Sequence, residues 1–109
     1  MRSPLDGTWL LHSGQPLPEG VRDMKIISDG HFMFAAYDQR TGRPLYSAGG
    51  SCELIAGCYT EHMDFASGKL AALVGKDQSF SVTVDGDTLT QDGTLTNGQP
   101  LSEIWTRLT

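Results

Sequence analysis

The chain has 109 residues, 39% of them apolar and 19% charged, with a net charge of −5. This length and composition fit one ordinary globular domain spanning 1–109. The excess of acid argues against nucleic acid or an anionic membrane surface as partner, and no apolar run approaches the length of a transmembrane helix.

The opening segment, MRSPLDGTW, has no apolar signal-peptide core. The expected compartment is cytoplasmic, or secreted or periplasmic if a leader has been removed. Gly7 to His12 reads as a first strand with Trp9 and Leu11 on one face. Ser13 to Gly20, SGQPLPEG, holds two prolines and two glycines and reads as a loop long enough to cover one end of a barrel. Val21 to Ser28 is the second strand, with Met24 and Ile26 assigned inward. Asp29-Gly30 is a two-residue hairpin signal, because both residues tolerate positive φ. Thr41-Gly42 and Ala56-Gly57 give weaker signals of the same kind, so Ser28 to Phe65 carries three further antiparallel strands.

Ala66 to Gln78 breaks the alternation; its LAALV segment could make one helical turn but not a stable independent helix. Ser79 to Val84 alternates cleanly, with Phe80, Val82 and Val84 inward. Asp85-Gly86 turns the chain into Asp87 to Leu95, and Asn97-Gly98 turns it into Pro100 to Leu108. The fold class is therefore all-β. The chain is expected to make a single closed or nearly closed antiparallel eight-stranded up-and-down barrel, since closure removes exposed sheet edges.

The middle hairpins set a register. They place His31 opposite Cys52 and Cys52 opposite Glu61. Met33, Gly50 and Met63 make the next row, and Ala35, Ala48 and Phe65 the one after. Tyr37 faces Tyr46, and Leu54 faces Tyr59. These side chains share one face, read as the lumen. Phe32, Phe34, Ser47, Gly49, Ser51, Glu53, Thr60, His62 and Asp64 take the outer face. One bulge would invert part of this assignment.

Cys52 and Cys58 point to opposite faces in this register, so no disulfide is expected. Two cysteines and three scattered histidines show no metal-ligand spacing. No cofactor and no metal are expected.

Leu5-Asp6-Gly7-Thr8-Trp9 and Trp105-Thr106-Arg107 resemble the two ends of lipocalin and fatty-acid-binding-protein (calycin) barrels, whose first strand opens with Gly-x-Trp. The resemblance implies a lipocalin-like barrel in which Trp9 plugs one end and Arg107 packs across it. The simple register of the last strand instead turns Trp105 and Arg107 outward. The chain is shorter than typical members and lacks their helical lid or flanking helix.

His31 and Glu61 are the sharpest candidate catalytic pair, with Tyr59 as hydrogen-bond donor. A carboxyl among Leu54, Met63 and Tyr59 would be tuned by burial and by a nearby histidine. The plainer reading is that the two only satisfy each other, or that His31 sits at the barrel rim. Met33, Tyr37, Cys52, Leu54, Met63 and Phe65 are the candidate ligand-binding residues. Tyr37 and Tyr46 read equally as core aromatics whose hydroxyls reach the rim. Cys52 reads as a small packing residue rather than a nucleophile. His62 and Asp64 are the reserve pair should the faces be reversed. Phe32, Phe34 and Trp105, if outward, would form an exposed aromatic patch suited to a homodimer.

The leading function is binding of one small apolar or amphipathic molecule in the lumen. The alternatives are a cofactor-independent acid/base enzyme on the same barrel (an isomerase, a cyclase or a strained-ring hydrolase) and a homo-oligomeric interaction module with a filled barrel.

Overall fold

A computed structural model describes residues 3–109. All eight expected strands form: β1 (Gly7–Ser13), β2 (Val21–Ser28), β3 (His31–Asp38), β4 (Pro44–Ile55), β5 (Cys58–Ala66), β6 (Asp77–Asp85), β7 (Thr88–Thr94) and β8 (Pro100–Arg107). Each pairs antiparallel with its neighbour in sequence, and β8 returns to β1. The sheet is a closed up-and-down barrel, an architecture consistent with a calycin-like fold. Closure leaves no free edge for a second chain to extend.

Tight turns gather at one end. Asp29 and Gly30 have φ of 51° and 74°, the left-handed pair of a two-residue hairpin. Ala56-Gly57 does the same with φ of 49° and 80°, although alanine is a costly choice there. The long loop after β1 and the connections after β3, β5 and β7 lie at the other end. Ala66 to Gln78 is not a strand throughout; Gly68–Leu73 forms a short 3₁₀ helix packed on β4 and β5, with Leu73 buried beneath it.

Two bulges decide which side chains enter the lumen. Between β3 and β4 the pairing runs Ala36↔Tyr46, then Tyr37↔Pro44, which leaves Leu45 extra. Phe32 consequently pairs with Gly50, and His31 with Ser51 rather than Cys52. A one-residue slip moves a whole strand to its other face. Phe32 and Ala36 are buried, whereas His31 and Met33 are exposed. β2 turns with β3: Asp23, Lys25 and Ile27 are buried, while Met24 is only half-buried and Ile26 exposed. The outer aromatic patch of Phe32, Phe34 and Trp105 does not form, since Phe32 and Trp105 are buried and Phe34 lines the lumen. The expected inward set on β2 and β3 is thus reversed.

Between β4 and β5 the expected pairs Leu54↔Tyr59, Cys52↔Glu61 and Gly50↔Met63 form. The next pair is Gly49↔Phe65, which makes Asp64 the extra residue and turns Phe65 outward. Glycine is required at this crossing. A Cβ on Gly50 would lie 2.0 Å from the His62 carbonyl oxygen, and one on Gly49 would lie 2.5 Å from the Phe65 ring.

Trp105 and Arg107 point inward, as the resemblance implied. The register of β8 puts them there: Trp105 pairs with Leu89 of β7 and Leu11 of β1, and Arg107 with Trp9. At the end with the tight turns, Trp9 is fully buried and its indole Nε1 donates to the Leu5 carbonyl at 2.8 Å. The Arg107 guanidinium lies 4.3 Å from the Trp9 ring centroid and donates to the carbonyls of Pro4 and Asp6. The N-terminal segment is thereby strapped across that end, where Leu5 is buried on Trp9 in the same core cluster.

Candidate functional site

The opposite end stays open. A cavity of about 510 Å³ enters the lumen there. Its mouth is framed by Gln15 and Pro16 of the long loop, Lys69 and Leu70 of the 3₁₀ helix, and Leu95, Asn97 and Gln99 of the β7–β8 connection. The loop after β1 does cover part of one end. Phe34, Met63, Leu73, Phe80, Leu101 and Trp105 supply an apolar wall. Asp23, Lys25, Glu61, Gln91 and Glu103 supply the polar groups.

Alternation explains how these groups come inside. β2 brings Asp23 and Lys25, β5 brings Glu61, β7 brings Gln91 and β8 brings Glu103. Each is buried, with 5% exposure or less. Burying charge without a partner is costly, so the pairing among them matters. Lys25 Nζ lies 3.3 Å from Glu61 Oε2 and donates to Gln91 Oε1 at 3.1 Å. The Tyr59 hydroxyl donates to the same Glu61 oxygen at 2.8 Å. Lys25 also sits 4.7 Å from the Trp105 ring centroid, and 5.5 and 5.7 Å from those of Phe34 and Tyr59. Aromatic faces at such distances favour a cation. Burial and the adjacent Glu61 push the Tyr59 phenol far up, which keeps it a neutral donor.

A second polar group lies nearer the mouth. The Tyr46 hydroxyl donates to Asp23 Oδ2 at 2.8 Å and accepts from Gln15 Nε2 at 2.6 Å. Asp23 Oδ1 is buried with no hydrogen-bond partner among the described residues. Burial raises the Asp23 carboxyl to about 6, against the lowering effects of Tyr46, Lys25 and Lys69. Burial also raises Glu103, with Lys25 opposing and Asp23 and Glu61 adding to the rise.

The sequence-derived site residues divide between lumen and surface. Glu61 and Tyr59 are in the lumen and joined by a hydrogen bond; His31 is not with them. His31 is exposed beside its turn, its Nδ1 2.9 Å from the Asp29 carbonyl oxygen. The expected His31–Glu61 coupling is therefore replaced by Lys25–Glu61, because the Leu45 bulge turned β3 over. Met63 lines the cavity. Met33 and Phe65 do not, being 57% and 42% exposed on the outer surface. Tyr37 is half-buried and its hydroxyl meets Met24 Sδ at 3.7 Å, away from the cavity. Cys52 and Leu54 line a small recess at the plugged end with Leu5 and Tyr59. Both cysteines are free thiols, and burial pushes the Cys52 thiol up, which suits packing rather than nucleophilic attack. His62 and Asp64 lie outside, with His62 Nδ1 2.6 Å from Asp77 Oδ1.

Asp23, Lys25, Gln91 and Glu103 escaped the sequence reading. Charged and amide residues in half-apolar strands look like solvent-facing positions. One signal was available: the Asp29-Gly30 hairpin pairs Lys25 with Phe34 and Ile27 with Phe32, so Lys25 shares a face with two aromatics. No family model, curated protein or solved structure matches the chain.

Proposed function

We propose that the barrel binds one small amphipathic molecule in its lumen. The observation that carries this reading is the open cavity of about 510 Å³, apolar along most of its wall and fitted with a few fixed polar groups. Its volume lies within the range of small-ligand sites. Kinship with lipocalins or fatty-acid-binding proteins is part of the same proposal. It is supported by Trp9 plugging one end under Arg107 and by the eight-stranded closure. The test is binding of the neutral dye Nile red by wild type and by Leu101→Trp, which fills the cavity from its wall. Saturable one-to-one binding lost in the variant supports the lumen as the site. Equal binding by both proteins places it elsewhere.

An acid/base enzyme on the same lumen is the second reading, favoured by one feature. Asp23 is a buried carboxyl on the cavity wall with one oxygen unpartnered among the described residues, and burial raises it to about 6. In that reading a bound compound is converted by wild type and only retained by Asp23→Asn. A compound recovered unchanged from the wild-type protein argues for binding alone.

The proposed homodimer moves to other residues. Ile26, Met33 and Phe65 form an outer apolar row across β2 to β5, through the pairs Ile26↔Met33, Met33↔Gly49 and Gly49↔Phe65.

A further inference from the structure

The buried charges of the lumen do not balance. Among the described residues, three buried carboxyl side chains, Asp23, Glu61 and Glu103, face one buried ammonium, that of Lys25. Lys25 is already committed to Glu61 and Gln91. Among the described residues Asp23 and Glu103 make no ion pair, and both line the cavity. They enter from β2 and β8, the two neighbours of β1, and Asp23 is near enough to raise the Glu103 carboxyl. Asp23 is 2% exposed, and its Oδ1 has no partner among the described residues. Native proteins seldom leave such an oxygen without a reason.

The surroundings suit a cation. Tyr46 and Trp105 also line this part of the cavity. Lys69, at the exposed mouth, already rests its ammonium 4.7 Å from the Tyr46 ring centroid and donates to Gln15 Oε1 at 2.8 Å. It forms no ion pair with either carboxyl. An anionic head group would instead add a negative charge to a pocket that already has too many.

We propose that Asp23 and Glu103 form a recognition site for a protonated amine, so that the molecule bound in the lumen is a cationic amphiphile with its ammonium on these carboxyls and its apolar body along Phe34, Met63 and Trp105. This rests on the lumen-binding reading above. The ligand's charge replaces the missing counter-ion. It also offsets the burial that raises both carboxyls. The groups facing the ammonium are Asp23, Lys25, Tyr46, Glu61, Lys69 and Glu103.

Three probes of one shape test the idea: 4-phenylbutylamine, 4-phenylbutan-1-ol and 4-phenylbutyrate. They are titrated calorimetrically at about pH 8, above the Asp23 range and below that of an alkylamine. The amine is expected to bind about tenfold or more tighter than the alcohol, the usual value of a charge-assisted contact, and the acid more weakly than either. Asp23→Asn, and separately Glu103→Gln, should bring the amine down to the alcohol's affinity. A cooperative urea transition shows that each variant is folded, and an amine that keeps its lead over the alcohol in both variants overturns the site. Equal binding of amine and alcohol, or tightest binding of the acid, overturns the amine site and leaves lumen binding standing. Binding of none of the three, together with failure to bind Nile red, overturns both.

Discussion

Lys25 and Glu61 stand on opposite walls of the barrel, and Lys25 Nζ meets Glu61 Oε2 at 3.3 Å with both side chains 3% exposed or less. Removing one partner strands the other charge in an apolar interior, a loss of about 3–5 kcal/mol. Lys25→Met should therefore be strongly destabilising in urea. Glu61→Gln should be costly too, because it strands Lys25 and weakens the contact from Tyr59. The double variant should recover most of the loss, since replacing a whole buried pair is often nearly neutral. A double variant whose cost equals the sum of the two single costs would show that the pair is not coupled.

Trp9 is the plug of the closed end, fully buried and stacked under Arg107. Trp9→Ala should cost about 3–5 kcal/mol, the range for large aromatic truncations in a packed core. Arg107→Lys keeps a positive charge but loses the planar group that covers the ring and reaches two carbonyls. It should cost less than Trp9→Ala but measurably more than an ordinary surface change. A Trp9→Ala cost below about 1 kcal/mol would mean that Trp9 is not the plug.

Strand existence and order were legible in the sequence, because turns such as Asp29-Gly30 carry their own backbone chemistry. The faces of β4 and β5 were legible near the tight Ala56-Gly57 hairpin, which fixes Leu54↔Tyr59 and Cys52↔Glu61. The faces of β2 and β3 were not. The Leu45 bulge lies beside the loop joining β3 to β4, and nothing in its composition distinguishes a bulged leucine from a paired one. Apolar Met24 and Ile26 then outbid Asp23 and Lys25 for the core. Asp23 and Lys25 were missed for the same reason, whereas Gln91 and Glu103 were missed because an amide or a carboxylate on a strand reads as a solvent-facing position.

The outer row of Ile26, Met33 and Phe65 is 52%, 57% and 42% exposed. Contiguous apolar rows of this kind commonly mark contact surfaces. The expected outcome is a homodimer at high micromolar concentration, converted to monomer by Met33→Glu. Phe34→Glu is not a test of this surface, because Phe34 lines the cavity. Sedimentation showing wild type monomeric at the same concentration would end the idea.

The last expectation concerns pH and Asp23. Its carboxyl is raised from 3.8 to about 6, chiefly by burial. A raised carboxyl holds its proton more tightly in the folded chain than in the unfolded one. Between about pH 4 and 6 the folded state therefore carries more protons, and stability from this group falls as pH rises through that window. Above the window the loss is at most about 3 kcal/mol. Glu103 is raised as well and acts in the same direction. Half-buried Asp38, lowered by its hydrogen bonds from Arg40, acts in the opposite direction, so the total curve mixes signs. The difference between wild type and Asp23→Asn isolates the one group. Asp23→Asn should be the more stable of the two at neutral pH, with the gap shrinking as pH falls toward about 4. Urea midpoints measured across that range read the gap directly. A gap that stays constant with pH would mean that Asp23 is not strained by its burial and has no need of a cationic partner in the lumen.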